Sequence, residues 1–430
     1  MKVELKYGKE GLTVDFPEKN VTVIEPDFVA GLPDEKHAFF EALRNPIGAT
    51  PLKKHIKEGD TIAILFCDIT RPIPNKRVIP WLLEELAFHP KEKIILINAT
   101  GLHRMNTEDE LVEMLTKDVL KNYRVVNHVA TDANTLTHLG TNSFGGEVYV
   151  NSEYYNADVK ILTGFIEPHL MAGFSGGPKL VLPGVAGAET IMHNHGAKMI
   201  GNPTCTWGMT KGNPLWEEIH EVATMTSPTF LVNVTLNKDR AITGIFAGDM
   251  DEAHAKGVEF VRKTAMQPVK AAFDIVVTTN SGYPLDLNLY QTFKGISAAR
   301  KIVRKGGSII AVSECSDGIP EHGNYKKILH EASSVQEILD TINTPGYSQI
   351  DQWGAQTQAM IQLWAHVYLY SSLPADEVKK SHLEPISSVE TCIAELINTY
   401  GPHTSIAVLP EGPQTIPYLQ KEFLYSSEKQ

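Results

Sequence analysis

Short apolar runs alternate with longer amphipathic stretches along most of this 430-residue chain. Continuous apolar runs are typical of strands covered on both faces, and apolar residues at every third or fourth position are typical of helices. The strands predicted in this way are residues 61–66, 93–98, 123–128, 158–163, 230–234, 273–279, 307–312 and 405–409. The predicted helices are residues 34–44, 74–88, 107–120, 188–199, 249–264, 288–305, 335–342, 356–371 and 388–400.

This alternation predicts an α/β protein with largely parallel sheets flanked by helices. The chain is long enough for two domains, and Pro268 lies at the predicted boundary, so we expect one domain over residues 1–268 and another over 269–430. Three short alternating runs at residues 3–7, 12–16 and 21–24 predict a small β-meander before the first domain's sheet. Residues 426–430 are predicted to be a frayed tail.

The composition excludes several classes of partner. The net charge of −12 argues against nucleic acid and anionic membranes. No apolar run approaches the roughly 18 residues of a membrane helix, and the first residues show no secretory leader, so we expect a cytoplasmic protein. The four cysteines have no C-x-x-C spacing, which indicates neither a disulfide framework nor a zinc knuckle.

Polar side chains follow three strands of the first predicted sheet. Asp68 and Arg71 follow the strand predicted at residues 61–66, His103 follows the strand at 93–98, and His169 follows the strand at 158–163. Because ligands of open α/β sheets bind outside the carboxyl ends of the strands, we expect these groups at one edge. Singly, each has an ordinary alternative: a helix cap, an ion pair or a histidine in a solvated turn.

The glycine-rich segment 173–179 resembles a nucleotide P-loop only superficially. Pro178 stands where the motif needs its last glycine, and Leu180 stands where it needs Ser or Thr, so ATP is not the expected ligand. The backbone N–H groups of Ser175, Gly176 and Gly177 could still hold a phosphate of another cofactor.

Lys179 and two later histidines complete the candidate chemistry. Lys179 has no acidic neighbour in the sequence, which suits either a phosphate contact or a covalent attachment. In the predicted helix, His193 and His195 diverge by about 200°, so we expect one metal-ligating histidine rather than a chelating pair. The alternative for each histidine is a buried core side chain with a hydrogen-bond partner.

A polar face opens the first helix of the second predicted domain. Tyr290, Gln291 and Lys294 lie within two turns of its start, at spacings that bring their side chains together. Such a face near a helix N-terminus suits a carboxylate, and the alternative is an exposed amphipathic surface.

Together these segments resemble the nickel-dependent lactate racemase family, whose members use a nickel-pincer nucleotide derived from nicotinic acid. The resemblance runs in order from residue 68 to residue 353. The matching segments are Asp68-Ile-Thr-Arg71-Pro, Gly101-Leu-His103-Arg, Glu167-Pro-His169, Gly173-Phe-Ser-Gly-Gly-Pro-Lys179, Asn194-His195, Tyr290-Gln291-x-x-Lys294 and Trp353.

The resemblance implies a cofactor, pyridinium-3,5-bisthiocarboxylic acid mononucleotide with nickel, joined to Lys179 through a thioamide. It implies that His195 is the protein ligand of a square-planar nickel. It also implies that His103 and His169 are paired acid/bases for a 2-hydroxy acid whose C2 hydride moves to the pyridinium ring and back.

The remaining roles implied by the resemblance concern substrate and pocket. Arg71, Gln291 and Lys294 would hold the substrate carboxylate. Asp68 would support the cofactor pocket, and Tyr290 and Trp353 would wall the active site, which we expect in a cleft between the domains. Cofactor-synthesis proteins are implied partners, and a homodimer is compatible with the sequence.

The sequence leaves alternatives open for the substrate and for the chemistry. Pro178 and His193 depart from residues found in some lactate racemases, which leaves the particular 2-hydroxy acid open. A zinc-dependent hydrolase could use His103, His169 and His195 with Asp68. A non-catalytic binder of anionic metabolites would leave Lys179 unmodified.

Overall fold

The computed structural model of the protein describes residues 1–321 and 323–420. The predicted frayed tail, residues 426–430, lies outside this described part of the chain. No helix among the described residues is long and apolar enough to cross a membrane.

The chain folds into two compact units. The N-terminal unit comprises Phe28–His195 and Thr204–Arg262, and the C-terminal unit comprises Met1–Asp27, Gly196–Pro203 and Lys263–Gln430. These units differ from the ranges 1–268 and 269–430 because residues 1–27, 196–203 and 263–268 belong to the C-terminal unit. The domain ranges themselves stay a prediction.

The strands are mostly short. In chain order they are β1 (Lys2–Leu5), β2 (Leu12–Asp15), β3 (Val21–Val23), β4 (Ile62–Cys67), β5 (Ile94–Ala99), β6 (Arg124–Asn127), β7 (Leu136–Thr141), β8 (Glu147–Asn151), β9 (Val159–Phe165), β10 (Pro168–His169), β11 (Gly173–Phe174), β12 (Phe230–Leu236), β13 (Ile242–Gly248), β14 (Met266–Val269), β15 (Phe273–Thr279), β16 (Val303–Val312), β17 (His366–Tyr370), β18 (Glu384–Pro385), β19 (Ile406–Leu409) and β20 (Ile416–Leu419).

The helices range from single turns to four turns. In chain order they are α1 (Glu35–Arg44), α2 (Asn75–Glu85), α3 (Glu108–Leu115), α4 (Lys117–Asn122), α5 (Ser152–Asn156), α6 (Ala188–Asn194), α7 (Ala197–Ile200), α8 (Pro214–Met225), α9 (Met250–Ala265), α10 (Leu289–Arg300), α11 (Tyr325–Glu331), α12 (Val335–Ile342), α13 (Gln352–Gln362), α14 (Ala375–Lys380) and α15 (Val389–Tyr400).

The N-terminal unit is built on a sheet with the order β13-β12-β9-β4-β5-β6. Five of these strands run parallel, and β13 pairs antiparallel with β12 at one edge. Every residue of β4 is buried, as expected for a central strand covered on both faces. The predicted α/β fold class with largely parallel sheets is confirmed.

The C-terminal unit contains a second sheet, with the order β18-β17-β16-β15-β19-β3, in which all neighbours are parallel. Its two faces carry separate cores. Val276 belongs to one core, whereas Ile275 and Val277 belong to the other. This alternation is the two-residue period of a strand.

The predicted β-meander is wrong in its third strand. β1 and β2 pair antiparallel as expected, but β3 pairs parallel with β19 near the other end of the chain. The sequence around β3 contains no information about a partner almost four hundred residues away, and the apolar alternation fits either arrangement.

Several predicted helices have different bounds in the structure. The helix predicted over residues 288–305 is α10, which ends at Arg300, and strand β16 begins at Val303. The helix predicted over residues 356–371 is α13, which ends at Gln362, and the following run His366–Tyr370 is strand β17. Its aromatic and β-branched residues favour a strand, and β16 provides the pairing partner. The helix predicted over residues 107–120 is broken at Thr116, whose φ is 90°.

The predicted helix starts are confirmed where they were based on capping residues. Asp34 accepts a hydrogen bond from the backbone N–H of His37. Thr107 and Glu110 form the predicted capping box at the start of α3. In contrast, the predicted helix 188–199 is interrupted, because α6 ends at Asn194 and His195 is its C-cap residue.

Candidate active site

His103 and Asp68 form a hydrogen-bonded pair beyond the carboxyl ends of β5 and β4. The His103 Nδ1 atom lies 2.7 Å from Asp68 Oδ2, and the hydroxyl of Thr70 donates to Asp68 Oδ1 at 2.8 Å. The Asp68 side chain is 3% exposed, whereas that of His103 is 46% exposed. A buried carboxylate therefore supports an imidazole that remains accessible.

The charge of Asp68 is maintained against its burial. Burial alone would raise the pKa of this carboxyl. The hydrogen bond and charge of His103, the guanidinium of Arg71 and the Thr70 hydroxyl together hold the pKa below its ordinary value. Asp68 is thus an ionised group that faces His103, whereas the resemblance implied a role for Asp68 in supporting the cofactor pocket.

His169 is the last residue of the short strand β10, and a tight turn connects it to β11. Its Nδ1 atom accepts hydrogen bonds from the backbone N–H groups of Met171 at 3.2 Å and Ala172 at 3.1 Å. The turn ends at Gly173, the first residue of β11, whose φ is 79°. A Cβ atom on Gly173 would overlap the backbone of Met209, so the close approach requires glycine.

The glycine loop is anchored by hydrogen bonds within the protein. The N–H of Ser175 donates to Glu167 O at 2.9 Å, and its hydroxyl donates to Phe165 O at 2.9 Å. The N–H of Gly177 donates to Asn233 Oδ1 at 2.8 Å. Two of the three N–H groups that we predicted to hold a phosphate are therefore already engaged, and the cofactor contact of this loop stays a prediction.

Close packing explains why glycines occupy positions 176 and 177 of the loop. A Cβ atom on Gly176 would lie 2.5 Å from Asn233 Oδ1, and one on Gly177 would lie 2.7 Å from a ring carbon of His254. His254 Nε2 donates to Ser175 O at 2.9 Å, and burial lowers the pKa of His254 to about 4. The neutral ring stacks on Trp216 with centroids 5.0 Å apart.

Asn233 and His254 were missed in the sequence. Asn233 is a fully buried polar residue in the middle of the apolar strand β12, and such a residue needs a buried hydrogen-bond partner. This is a signal that the sequence does contain. His254 lies on the buried face of α9. The spacing of buried positions along this helix does not distinguish His254 from an ordinary core residue.

Replacing Asn233 with alanine tests the anchoring of the loop. The backbone N–H of Gly177 would lose its acceptor in a buried position, so we expect the free energy of unfolding to fall by about 1–3 kcal/mol. Urea unfolding followed by circular dichroism measures the change. Asn122→Ala, which removes a helix-end asparagine whose hydrogen bond to Asp118 is exposed to solvent, serves as the control, and equal midpoints for both variants would contradict the assignment.

Lys179 follows the loop in the 3-10 turn Gly177–Leu180. Burial, assisted by the positive charge of Arg71, lowers the pKa of Lys179 to about 7, while the nearby Cys205 thiol opposes the shift. A large fraction of the amine is therefore uncharged at neutral pH. An uncharged lysine amine is a nucleophile, which favours covalent attachment over a simple phosphate contact.

His195 is held as a neutral imidazole at the end of α6. Burial and the charge of Lys179 lower the pKa of His195 to about 4, although the Ile191 carbonyl opposes this shift. The ring Nδ1 lies 3.2 Å from Ile191 O, which makes Nδ1 the N–H donor and places the lone pair on Nε2. This is the arrangement of a metal-ligating histidine, whose other nitrogen donates to a carbonyl.

His193 has a different partner from His195. Its Nδ1 lies 2.6 Å from Glu218 Oε1, a buried carboxylate that also accepts hydrogen bonds from Asn142 and Asn194. Among the described residues, no group of three or more His, Cys, Asp or Glu side chains could hold a metal ion.

In the C-terminal unit, the structure brings Tyr290 and Trp353 together. The indole N–H of Trp353 donates to the Tyr290 hydroxyl at 2.9 Å, and that hydroxyl donates to Asp351 Oδ1 at 3.2 Å. Asn288 caps the helix that carries Tyr290. Gln291 and Lys294 are half-buried on the same helix, so the face is not the fully exposed surface of the alternative interpretation.

Two family models match most of the chain. The lactate racemase N-terminal domain matches residues 7–208, and the lactate racemase C-terminal domain matches residues 268–416. This chain belongs to the lactate racemase family. The resemblance found in the sequence is thereby confirmed.

Named relatives agree over nearly the full length. The lactate racemase of Lactiplantibacillus plantarum is 35% identical over 417 residues, covering 95% of this chain and 98% of the relative. The lactate racemase of Thermoanaerobacterium thermosaccharolyticum is 32% identical over 421 residues, covering 96% and 98%. As a member of this family, the chain is an isomerase of the racemase type, which excludes the non-catalytic binder.

Solved structures support the same fold. The lactate racemase apoprotein from T. thermosaccharolyticum matches with a TM-score of 0.91 and 32% identity, covering 97% of this chain and all of that one. A protein from Thermotoga maritima matches with a TM-score of 0.67 and 19% identity, covering 91% of this chain. The second match supports the fold alone. The predicted roles of single site residues stay predictions within this family.

Proposed function

We propose that this chain racemises lactate by reversible hydride transfer from substrate C2 to a nickel-pincer nucleotide tethered to Lys179. Its membership of the lactate racemase family and its named relatives support lactate as the substrate. The observation that carries the cofactor proposal is the pair formed by Lys179 and His195. Lys179, with its pKa near 7, has an uncharged amine to attach, and His195, with its pKa near 4, has a neutral imidazole to bind a metal.

The residues present fit this cofactor. Lys179 supplies the amine of the covalent linkage, and the Nε2 lone pair of His195 supplies one metal ligand. A single histidine suffices when the cofactor provides the other donors, which agrees with the lack of a protein metal cluster among the described residues. When bound, the nickel-pincer nucleotide would supply an electron-poor ring able to accept and return a hydride.

The side chains of this protein then handle the proton and the carboxylate. His103 and His169 take up and return the hydroxyl proton of the 2-hydroxy acid, because oxidation at C2 requires its loss and reduction requires its return. Arg71, Gln291 and Lys294 are proposed to bind the carboxylate, and Tyr290 and Trp353 to shield the site from water. Cofactor-synthesis proteins are the partners that this proposal requires.

Lactate deuterated at C2 tests the reaction. We expect a chain co-expressed with the cofactor-synthesis proteins to racemise this substrate more slowly than unlabelled lactate, with the deuterium retained at C2 of the product. Mass spectrometry of the separated enantiomers measures the retention. Rapid loss of deuterium to water would contradict hydride transfer, and turnover of another 2-hydroxy acid but not of lactate would contradict the substrate. Chain expressed without the synthesis proteins is the control.

A further inference from the structure

The two proposed acid/base histidines have opposite hydrogen-bond partners at the same ring atom. His103 presents its Nδ1 to the carboxylate of Asp68 at 2.7 Å. His169 presents its Nδ1 to two backbone N–H groups at 3.1–3.2 Å. A carboxylate can only accept a hydrogen bond and a peptide N–H can only donate one, so each partner dictates which ring nitrogen carries the proton.

For His103, the proton is on Nδ1. Asp68 is an ionised carboxylate, since His103, Arg71 and Thr70 hold its pKa below the ordinary value. An ionised carboxylate requires an N–H donor, so the lone pair of the neutral ring is on Nε2. The His103 side chain is 46% exposed. It is therefore ready to accept a proton, and the resulting imidazolium would remain paired with Asp68.

For His169, the proton is on Nε2. The N–H groups of Met171 and Ala172 point at Nδ1, which must provide the lone pair. In the imidazolium form, Nδ1 would carry a proton directed at the backbone N–H groups of Met171 and Ala172, and donors that face one another repel. These two peptides therefore disfavour the imidazolium. In this arrangement, the ring donates a hydrogen bond from Nε2 and accepts no proton there. A neutral imidazole used as a hydrogen-bond donor is an established catalytic device in another enzyme fold.

We propose that the cofactor-free chain holds these histidines in unequal states: His103 as a base positioned by Asp68, and His169 as a neutral Nε2–H donor positioned by the peptides of Met171 and Ala172. The inference rests on the proposed function for the reaction that the histidines serve. In the proton step, the hydroxyl O–H bond breaks, an N–H bond forms at His103 Nε2, and His169 donates a hydrogen bond to the substrate oxygen. Use of His169 as the base for the other enantiomer requires residues 169–172 to release Nδ1.

Steady-state rates do not reveal this inequality directly. Two enantiomers have equal free energies, so kcat/KM is the same in both directions whatever the enzyme's resting state. The protonated ring nitrogen must therefore be observed. Heteronuclear NMR of the full-length chain, labelled at the histidine ring nitrogens, distinguishes the two neutral tautomers. We expect, at about pH 8 where an ordinary imidazole is neutral, the Nδ1–H tautomer for His103 and the Nε2–H tautomer for His169.

Variants assign the signals and test the positioning role. His103→Gln and His169→Gln each remove one signal. Asp68→Asn is expected to reduce the Nδ1–H population of His103 and to leave His169 unchanged. The matched control, Thr70→Val, removes the other hydrogen bond of Asp68 and is expected to preserve the His103 tautomer.

The same tautomer at both histidines, or the Nδ1–H tautomer at His169, would overturn the inference even if Asp68→Asn does not fold, since the unmodified chain gives both signals. This result is independent of turnover. A chain that racemises lactate with two identical tautomers refutes only the inference, and a chain with unequal tautomers that fails to racemise lactate refutes only the proposed function.

Discussion

Lys179→Ala is expected to eliminate both the covalent cofactor adduct and racemase activity. Lys179 is the nucleophilic amine in our proposal, because burial and the charge of Arg71 lower its pKa to about 7. No other side chain replaces a primary amine in an amide-type linkage. Intact mass spectrometry of chain co-expressed with the cofactor-synthesis proteins measures the adduct, and a lactate racemisation assay measures the activity. An adduct that persists in Lys179→Ala would contradict the attachment site.

Two further variants separate the amine from its charge. Lys179→Arg places a permanent positive charge at this position and is expected to form no adduct, because a guanidinium is not a comparable nucleophile. Lys198→Ala changes an exposed lysine and is expected to keep the adduct.

The lowered pKa also has a pH consequence. The uncharged amine predominates above about pH 7 rather than above 10.5, so Lys179 of the cofactor-free chain should be acylated by an amine reagent at pH 8 well before Lys198. Peptide mapping measures the order of reaction, and equal reactivity of the two lysines would contradict the shift.

His103→Ala and His169→Ala are each expected to lower kcat for lactate racemisation by at least about 100-fold while the adduct remains. General acid/base catalysis contributes roughly 10²–10⁴-fold, and racemisation needs the hydroxyl proton to leave and to return. Chiral chromatography of the product measures turnover, and intact mass measures the adduct in the same sample. Full activity in either variant would remove the paired assignment.

A matched histidine elsewhere serves as the control for these variants. His138 is 47% exposed and lies 2.6 Å from a carboxylate oxygen of Glu147, so it resembles His103 in exposure and partner. It lies in the β7–β8 hairpin and has no proposed role. His138→Ala is expected to keep both the adduct and the activity. A similar loss in His138→Ala would indicate a general effect of removing an ion pair rather than a catalytic role for His103.

The elements were predictable where local pattern and burial agree. The apolar run at residues 61–66 corresponds to β4, because a central strand of a parallel sheet is buried on both faces. Residues 335–342 and 273–279 have the predicted bounds, and the Thr107 capping box starts α3 as expected. These features depend on neighbours within a few positions.

Elements whose state depends on distant strands were not predictable in the same way. β17 was predicted as part of a helix, since its sequence HVYLY continues an apolar stretch and becomes a strand through pairing with β16. β3 was predicted in a hairpin and pairs instead with β19. Periodicity in a short apolar run does not identify the partner, and only the folded sheet does.

For the site, the sequence by itself determined the residue types: a lysine behind a glycine turn, histidines after strands and an acidic residue beside an arginine. Tertiary structure alone decided their chemical states. Burial lowers the pKa of Lys179 to about 7 and that of His195 to about 4, so at neutral pH a large fraction of the amine is uncharged and the imidazole is neutral. His103 and His169 differ because one meets a carboxylate and the other meets peptide N–H groups. The protonation states follow from burial and from the hydrogen-bond partners that folding brings close. Neither factor can be predicted from the neighbouring residues in the sequence.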